Sequence, residues 1–405
     1  MKAMQQQPPA AEAGLIQFSA AKRAANFGLG LAAGALRLAS WLARTAGGRP
    51  EEKAVLLLEP FGLGDMISHE PLVRALEGAG VEVRVGARAE WRELYPRQKV
   101  WVDAYVPWGT HAAKAKYRWG DYGSARFRTF LKELRRAGRG AVGVDTRGDI
   151  RSVLLLHLAG CREVVSLSTY LGTNARVTAG AARRVAYDAR LRRWEVNLAF
   201  LPALGVHPRE PLPPPFFPHL AAPGAAGGRR VGLIPVAPWQ GKWWEPSKWA
   251  ALIQQLRRAP WEITALCGPG QSGLARAQLG EEVRVTQCRS IGEWAAALNE
   301  QSLVITLDTG PMHLAAALGR PMVALFGPGL LPLWAPSGAS SRVVTHQGDA
   351  DFVHCLPTEA NTHLGEKFMR RIQVEEVMQA VEATAAQREN AREGRTGGGG
   401  QTEGN

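Results

Sequence analysis

The segment LVITLDTGPMH (303–313) contains the residues best suited to hold an anion. A buried strand is predicted to end at Asp308, and Thr309 and Gly310 then form a tight turn. The proline that follows stands where a helix tolerates a missing N–H. Free backbone N–H groups at this helix start, together with the helix dipole, would bind a diphosphate, and His313 could donate to a phosphate oxygen. Alternatively, Asp308 and Thr309 are simple helix caps and His313 is a packed surface histidine.

Short β-branched or leucine runs alternate with helical stretches along most of the chain, which predicts an α/β fold with parallel sheets. A single core rarely grows past about 250–300 residues, so this chain of 405 residues is expected to form two domains. The predicted segments are an N-terminal extension at 1–50, a Rossmann-like domain at 51–208, a Pro- and Gly-rich linker at 209–228, a second Rossmann-like domain at 229–387 and a disordered tail at 388–405. Ligands are expected in a cleft between the domains, at the carboxyl ends of the strands facing it.

The segment Leu303–Gly329 resembles the C-terminal signature of glycosyltransferase family 9, the lipopolysaccharide heptosyltransferases. The pattern runs D-[TS]-G-x-x-H-L-A-A-A-L-G-x-P-x-V-A-L-F-G-P, and every fixed position is present from Asp308 through Pro328. The resemblance implies a GT-B fold and an inverting, metal-independent glycosyltransferase without a cofactor. It implies a nucleotide-diphosphate sugar donor, ADP-heptose, and a lipopolysaccharide core or related anionic glycolipid as acceptor. At Gly329 the family usually has Thr, so one hydroxyl contact to the donor differs here.

The resemblance extends to the start of the second domain, where IPVAPWQGKWWEPSKWAALIQQL matches a strand followed by a lysine-containing loop. It puts Lys242 at the phosphate-binding lysine position, where a cation could offset charge on the departing diphosphate. The alternatives are an ordinary solvated lysine, or the same role for Lys248. Three tryptophans of this segment either wall the donor or fill the core: Trp239, Trp243 and Trp244.

The segment VLLLEPFGLGDMISHEPLVRAL (55–76) resembles the N-terminal segment of the same family and matches its Gly-Asp pair at Asp65. The resemblance implies that Asp65 is the general base that removes the proton of the acceptor hydroxyl. Asp65 could instead be a helix N-cap, but Pro71 predicts that the helix begins near Ser68 and that Asp65 lies in the preceding loop. The family usually has Arg six residues before this Asp, whereas this chain has Glu59.

Positive charge is concentrated in the N-terminal half of the chain. The whole sequence has 49 Lys and Arg against 36 Asp and Glu, a net charge of +13, which predicts an anionic partner. An acceptor with phosphates or acidic sugars fits this charge, and the candidates to bind it are Arg147, Arg151, Arg183 and Arg184. Solvated helix faces are the alternative. No recognition helix or RNA-binding motif accompanies the charge, so no nucleic-acid partner is predicted.

An apolar stretch at 26–43 is shorter than the roughly 20 residues that a spanning helix needs, and it contains Arg37. With the basic residues around it, the stretch predicts a helix lying on anionic lipid, a helix packed on the protein's own body, or a loose extension. The first interpretation predicts a peripheral position on the inner face of the cytoplasmic membrane. Four scattered cysteines predict reduced thiols in the cytoplasm.

Two further patterns concern metals. Asp349 and Asp351 form a D-x-D, which in another glycosyltransferase architecture holds a metal, but here it follows the last clear strand. Four other residues could suggest zinc, but their spacing matches no standard site: His346, His354, Cys355 and His363. We therefore predict no metal. A sugar-nucleotide epimerase and a non-catalytic nucleotide-sugar-binding protein are the alternative functions on the same architecture.

Overall fold

The computed structural model of the protein describes residues 20–45, 53–106, 119–171, 173, 176–177, 180–222, 228–338, 340–355 and 357–396. The chain divides into two compact units, one ending at Pro215 and the other beginning at Phe216, and Pro332–Trp334 group with the first unit. Among the described residues, no helix is long and apolar enough to cross a membrane. Parts of the predicted extension, linker and tail lie outside the described residues: 1–19, 46–50, 223–227 and 397–405.

The first unit is built from short parallel strands and the helices that connect them. Its strands are β1 (Ala54–Glu59), β2 (Glu82–Ala87), β3 (Trp101–Asp103), β4 (Val142–Asp145), β5 (Glu163–Leu167) and β6 (Arg183–Val185). Its helices are α1 (Ala20–Thr45), α2 (Leu63–Ser68), α3 (Glu70–Gly78), α4 (Ala125–Gly138), α5 (Ile150–Leu158) and α6 (Arg193–Leu198).

The strands of the first sheet lie in the order β3-β2-β1-β4-β5-β6, and each pair of neighbours is parallel. Every residue of β1 and β4 is buried. A parallel sheet is buried on both faces, which explains the unbroken apolar run Ala54–Leu58 in β1. The order of the strands reverses between β1 and β4, so the carboxyl ends of these two strands flank a crevice of the kind that binds ligands.

The second unit repeats this plan. Its strands are β7 (Arg230–Ile234), β8 (Glu262–Cys267), β9 (Arg284–Gln287), β10 (Leu303–Leu307), β11 (Met322–Phe326) and β12 (Ser341–Thr345). The remaining helices are α7 (Pro246–Arg258), α8 (Ser272–Leu279), α9 (Ile291–Asn299), α10 (Gly310–Ala317), α11 (Leu331–Trp334), α12 (Thr362–Arg371) and α13 (Val374–Thr396).

The second sheet has the order β12-β11-β10-β7-β8-β9, again with parallel neighbours. Read from the opposite edge, this is the order of the first sheet. The reversal falls between β7 and β10, which makes their carboxyl ends the expected ligand-binding position in this unit. The predicted α/β class with two Rossmann-like parallel sheets is confirmed.

One prediction for the C-terminal tail is wrong. The sequence predicts disorder from residue 388, but α13 continues to Thr396. Its last part, RENAREGR, is rich in Arg, Glu and Ala, which have high helix propensity. A helix that already exists needs no new nucleus to extend, so these residues add to α13 at little cost.

Candidate active site

Asp65 lies in the first turn of α2, near the end of β1. The prediction that it lies in a loop is wrong, because Pro71 lies in the first turn of a separate helix, α3, and α2 forms before it. The N-cap residue of α2 is Gly62, and no side chain caps this helix start. Asp65 is therefore not a helix N-cap. The carboxylate therefore stands beside the crevice between β1 and β4 and is available for a role other than capping.

Two arginines hold the Asp65 carboxylate. The Arg147 guanidinium, which follows β4, lies 2.7 Å from Asp65 Oδ1, and Arg193 Nε donates to the same oxygen at 3.2 Å. Arg147 also stacks on Phe61, with its guanidinium carbon 4.4 Å from the ring centroid. Asp65, Arg147 and Arg193 are 3%, 6% and 2% exposed. A buried charge needs this kind of pairing, so the three side chains form one positioned unit.

His69 and Thr146 extend this unit. His69 Nδ1 lies 2.8 Å from the Asp65 carbonyl oxygen, which can only accept, so Nδ1 carries the proton and donates. Burial and then the charge of Arg193 lower the pKa of His69 to about 3, so its ring is neutral. Nε2 therefore accepts from the Thr146 hydroxyl at 2.7 Å, and Thr146 Oγ1 accepts from Arg193 at 3.0 Å. The neutral histidine fixes the Thr146 hydroxyl that Arg193 contacts.

Glu59 is a second carboxyl group in this cluster. Its Oε1 accepts from Phe61 N at 3.0 Å, and its Oε2 lies 3.6 Å from the Arg193 guanidinium. Burial, and then the charge of Asp65, raise the pKa of Glu59 to about 8 against the opposing effect of Arg147 and Arg193. A neutral Glu59 leaves two guanidinium charges and at most one carboxylate charge. The cluster then carries net positive charge, which suits an anionic acceptor.

Arg193 is a member of this cluster that the sequence analysis missed. It begins α6, 128 residues after Asp65, and its NH1 donates to Asn197 one turn later. Asn197 Nδ2 in turn donates to the carbonyl and hydroxyl oxygens of Ser68, both at 2.9 Å. The signal in the sequence was the i, i+4 spacing of Arg193 and Asn197, which puts both on one face of a helix.

The four predicted acceptor arginines do not come together. Only Arg147 contacts Asp65. Arg151 pairs with Asp149 at the start of α5, with NH2 2.6 Å from Oδ2. Arg183 pairs with Glu163 at 3.2 Å, and Arg184 is exposed beside it. Both belong to the edge strand β6, which β5 separates from β4, so they lie about 10 Å from β4 across the sheet.

In the second unit, Lys242 meets Asp308. Lys242 follows β7 and Asp308 follows β10, so the reversal of strand order brings the two together. The Lys242 ammonium lies 2.5 Å from Asp308 Oδ2 and donates to the Asp308 carbonyl oxygen at 3.2 Å. The Asp308 side chain is 6% exposed and the Lys242 side chain 22% exposed. A cation at the carboxyl ends of these strands is well placed for an anionic ligand.

The loop that carries Lys242 is held by close backbone packing. A Cβ on Gly241 would lie 2.5 Å from the Trp239 ring, and a Cβ on Gly365 of α12 would collide with the Gly241 carbonyl oxygen. Trp239 Nε1 donates to the Thr358 carbonyl oxygen and to Thr362 Oγ1, both at 3.1 Å. Only glycine fits at 241 and 365, so these contacts fix the direction in which the loop presents Lys242.

The remaining alternatives for this loop are structural. Trp244 is buried in the core, packs edge-to-face on Trp249 with centroids 5.1 Å apart and donates to the Ile372 carbonyl oxygen at 3.0 Å. Trp243 donates to the Ala237 carbonyl oxygen at 2.8 Å. Lys248 donates to the same Ile372 carbonyl oxygen at 2.8 Å. This hydrogen bond satisfies a backbone acceptor just beyond the end of α12. Since Lys248 bonds to the backbone, Lys242 is the better placed of the two lysines to meet a diphosphate.

The start of α10 faces the same strand ends. Thr309 is the N-cap, with φ −154° and ψ 167°, and makes no side-chain cap, and α10 begins at Gly310 with Pro311 in its first turn. His313 is partly exposed one turn into the helix. The first N–H groups of a helix lack the usual intrahelical acceptor, so the start of α10 at Gly310 has the geometry that the sequence predicts for an anion site, and its binding role stays a prediction.

Gly329 lies against Asp308, and a side chain there would not fit. A Cβ on Gly329 would stand 2.3 Å from Asp308 Oδ2 and 3.1 Å from the Phe326 ring. Gln347 holds this backbone by donating to the carbonyl oxygens of Gly327 and Gly329 at 2.7 and 2.5 Å. The glycine that departs from the family pattern therefore gives the Asp308 carboxylate the space in which it meets Lys242.

The D-x-D carboxylates are paired with cations of α12. Arg371 lies 2.6 Å from both Asp349 and Asp351, and Lys367 lies 2.8 Å from Asp351. The hydrogen bonds from Arg371 and Lys367 lower the pKa of Asp351. Within the described ranges, no group of three or more His, Cys, Asp and Glu side chains is arranged to hold a metal ion. The D-x-D is thus part of a surface ion-pair cluster that joins a loop to a helix.

Comparison with known proteins supports the resemblance seen in the sequence. Residues 218–357 match the model of Glycosyltransferase family 9 (heptosyltransferase). Two curated relatives, both named Lipopolysaccharide heptosyltransferase 3, from Escherichia coli and its strain K12, are 27% and 26% identical over 163 and 161 residues. Each match covers 38% of this chain and 47% or 45% of the relative. The chain thus spans about half the length of the curated relatives it matches.

Solved structures share the fold of both units. E. coli heptosyltransferase WaaC with ADP matches with a TM-score of 0.61 at 17% identity, over 82% of this chain and 99% of that one. E. coli ADP-heptose lps heptosyltransferase II matches with a TM-score of 0.58 at 19% identity, over 83% of this chain and 99% of that one. The predicted GT-B fold is confirmed.

Proposed function

We propose that this chain, which carries a glycosyltransferase family 9 domain at residues 218–357, is an inverting heptosyltransferase. In this proposal it transfers heptose from ADP-heptose to a lipopolysaccharide core or a related anionic glycolipid. The observation that carries the proposal is that each sheet has a chemically suitable side chain near the point where its strand order reverses. A carboxylate stands near the switch point of the first sheet, and a lysine beside a helix start stands at that of the second.

The donor's diphosphate is proposed to bind at the start of α10 and at Lys242. The Asp308 carboxylate lies 2.5 Å from the Lys242 ammonium and offsets its charge. A diphosphate that arrives at the N–H groups of Gly310 would compete for this ammonium, and His313 could donate to another phosphate oxygen. A solved neighbour, E. coli heptosyltransferase WaaC with ADP-2-deoxy-2-fluoro heptose, matches with a TM-score of 0.60 at 17% identity, and its ligand agrees with such a donor.

Asp65 is proposed as the general base. It would take the proton of the acceptor hydroxyl as that oxygen attacks the anomeric carbon, on the face opposite the departing ADP, and this attack inverts the configuration. The negative charge that develops on ADP would be stabilised by Lys242 and the α10 dipole, so the chemistry needs no metal. Arg147 and Arg193 would keep Asp65 in place, and Arg147 is the predicted acceptor residue best placed to meet an anionic group beside the reacting hydroxyl.

The acceptor and the location of the reaction belong to the same proposal. The net charge of +13 and the net positive cluster around Asp65 favour an acceptor with phosphates or acidic sugars. Such a glycolipid lies in a bilayer, so we place the enzyme in the cytoplasm, peripherally on the inner face of the cytoplasmic membrane.

The test is a donor screen followed by turnover. ADP-heptose should raise the melting temperature of the full chain more than UDP- or GDP-sugars do, and ADP should be released when a lipid-core acceptor is added. Asp188→Asn, on a partly exposed residue that pairs with Arg190, serves as the matched control for Asp65→Asn. Conversion of a nucleotide sugar to its epimer without an acceptor would overturn the proposal in favour of an epimerase. Donor binding without any turnover would favour a non-catalytic binding protein.

A further inference from the structure

Helix α1 packs on the protein through its smallest residues. It lies along α5, with Gly30 and Ala33 buried in the contact. Gly34 sits close to the chain at Gly180, whose carbonyl oxygen would be 3.6 Å from a Cβ at this position. Small residues let two backbones approach closely, and Gly30, Ala33 and Gly34 on the inner face of α1 are residues of this kind.

Two hydrogen bonds fix the rotation of α1 about its own axis. Asn26 Nδ2 donates to the Arg176 carbonyl oxygen at 2.7 Å, and Arg37 NH1 donates to the Gly180 carbonyl oxygen at 3.4 Å. Asn26, Gly30, Ala33 and Arg37 recur at intervals of three or four residues, which is the spacing of one helix face. The rest of the circumference of α1 is therefore held toward solvent.

Bulky apolar side chains occupy one side of this exposed surface, about 110° around α1 from the packed face. Phe27, Leu31 and Leu38 are 58%, 60% and 57% exposed. At 100° per residue they fall within about 40° of one another around the helix, and they span about 16 Å along it. Half of the large apolar side chains that are exposed in the described part of the chain lie on α1. An apolar stripe of this length on a surface helix marks an interaction site.

A basic pocket adjoins the stripe. It has a volume of about 570 Å³ and is lined by Arg37, Arg183 and Arg184 together with Glu163 and Ser168. Glu163 offsets one of these charges through its pairing with Arg183 at 3.2 Å. Arg37, which lines the pocket, is followed directly by the exposed Leu38, so the apolar stripe and the cationic pocket meet at one place.

We propose that α1 lies on an anionic bilayer, with Phe27, Leu31 and Leu38 among the acyl chains and a lipid phosphate in the pocket of Arg37, Arg183 and Arg184. Apolar side chains beside cations are the combination that binds a membrane surface. A second copy of the chain is a poorer occupant. It carries the same arginines and the same net charge of +13, so the two surfaces would repel each other. This inference deepens the proposed membrane location, and the lipid contact can be measured without donor or acceptor.

The experiment is co-sedimentation of the full chain with vesicles of phosphatidylcholine, with and without about 30% phosphatidylglycerol, at low salt. Binding should need the anionic lipid and should fall at high salt, because the attraction of exposed charges is screened. Leu31→Gln/Leu38→Gln and Arg183→Gln/Arg184→Gln should each weaken binding by about tenfold or more. Leu274→Gln and Arg190→Gln are the matched controls, since both residues are exposed and lie outside α1 and the pocket.

The control measurements distinguish lipid binding from misfolding, from a failure of the proposed reaction and from other occupants of the same surface. Unchanged melting temperatures and unchanged ADP binding show that the variants fold, and they keep a failure of lipid binding distinct from a failure of the proposed reaction. Equal binding to neutral vesicles, or unchanged binding by both double variants, would overturn the inference. Inorganic phosphate that raises the melting temperature of the wild type but not of Arg183→Gln/Arg184→Gln, in a protein that does not bind anionic vesicles, would show a free-phosphate site instead. A dimer that Leu31→Gln/Leu38→Gln abolishes, without vesicle binding by the wild type, would identify a second copy as the occupant.

Discussion

Glu59→Gln tests whether the cluster around Asp65 contains a protonated carboxyl group. Glutamine keeps the size of Glu59 and cannot ionise. In the folded protein, burial and Asp65 raise the pKa of Glu59 from 4.5 to about 8. A raised pKa means that this group contributes stability fully below pH 4.5, and that the contribution is lost as the pH rises toward 8. The wild type should therefore lose stability relative to Glu59→Gln across this interval.

The size of the effect follows from the pKa shift. Each pH unit inside the interval changes the free energy of unfolding by about 1.4 kcal/mol for one group. Between pH values of about 5.5 and 7.5, the wild type should lose about 3 kcal/mol relative to Glu59→Gln. His69, with a pKa lowered to about 3, and Asp145, with a pKa raised to about 7, also titrate. Glu59 is not among the causes of either shift, so the difference between the two proteins cancels them.

The assay is urea unfolding of both proteins at the two pH values, followed by the fluorescence of the tryptophans. Glu82→Gln is the matched control, because burial of that carboxylate is slight and its hydrogen bond to Arg84 lowers its pKa instead. A difference between wild type and Glu59→Gln that stays constant from pH 5.5 to 7.5, within about 0.5 kcal/mol, would refute the argument. It would mean that Glu59 is ionised and paired with Arg193.

Three further outcomes are expected. Asp65→Asn should leave ADP-heptose affinity within about twofold and lower kcat by about 10²–10⁴, as for a lost general base; a kcat within a fewfold of wild type would contradict that role. Turnover should survive excess EDTA, and Asp349→Asn/Asp351→Asn should retain it, because Arg371 and Lys367 already occupy these carboxylates; loss of turnover with rescue by manganese would show a metal site. Gly329→Ala should lower the free energy of unfolding by about 1–3 kcal/mol in a chemical denaturation experiment, because its Cβ would stand 2.3 Å from Asp308 Oδ2; an unchanged stability would show that the Asp308 carboxylate moves freely.

The sequence predicts the central strands of both sheets well. The runs AVLLLE and WEITALC correspond to β1 (Ala54–Glu59) and β8 (Glu262–Cys267) within one residue. Strands in the middle of a parallel sheet are buried on both faces, so they appear as uninterrupted apolar runs. The edge strands carry no such signal. β6 consists of Arg183–Val185, and its two arginines suggested a charged surface instead of a strand.

The strand–turn–helix unit of the proposed donor site was also predictable, because its residues are contiguous. Asp308, Thr309, Gly310 and His313 lie within one strand–turn–helix unit, and local rules fix such a unit. The Asp65 cluster draws on β1, α2, the loop after β4 and α6. Its assembly depends on the strand order of the sheet, which no local pattern encodes. Arg193 could therefore be recognised as basic, but its contact with Asp65 could not be predicted.

The two departures from the family pattern have a common explanation in the structure. Glu59 stands where the family usually has arginine, yet Arg193 brings a guanidinium to 3.6 Å from its carboxyl group and to 3.2 Å from Asp65. Gly329 stands where the family usually has threonine, and the missing side chain leaves room for the Asp308 carboxylate beside Lys242. In both places an ion pair forms between residues distant in sequence: Arg193 pairs with Asp65 beside Glu59, and Lys242 pairs with Asp308 beside Gly329. A motif compared position by position records two losses, whereas the folded chain keeps a cation beside the proposed base and a cation at the proposed diphosphate site.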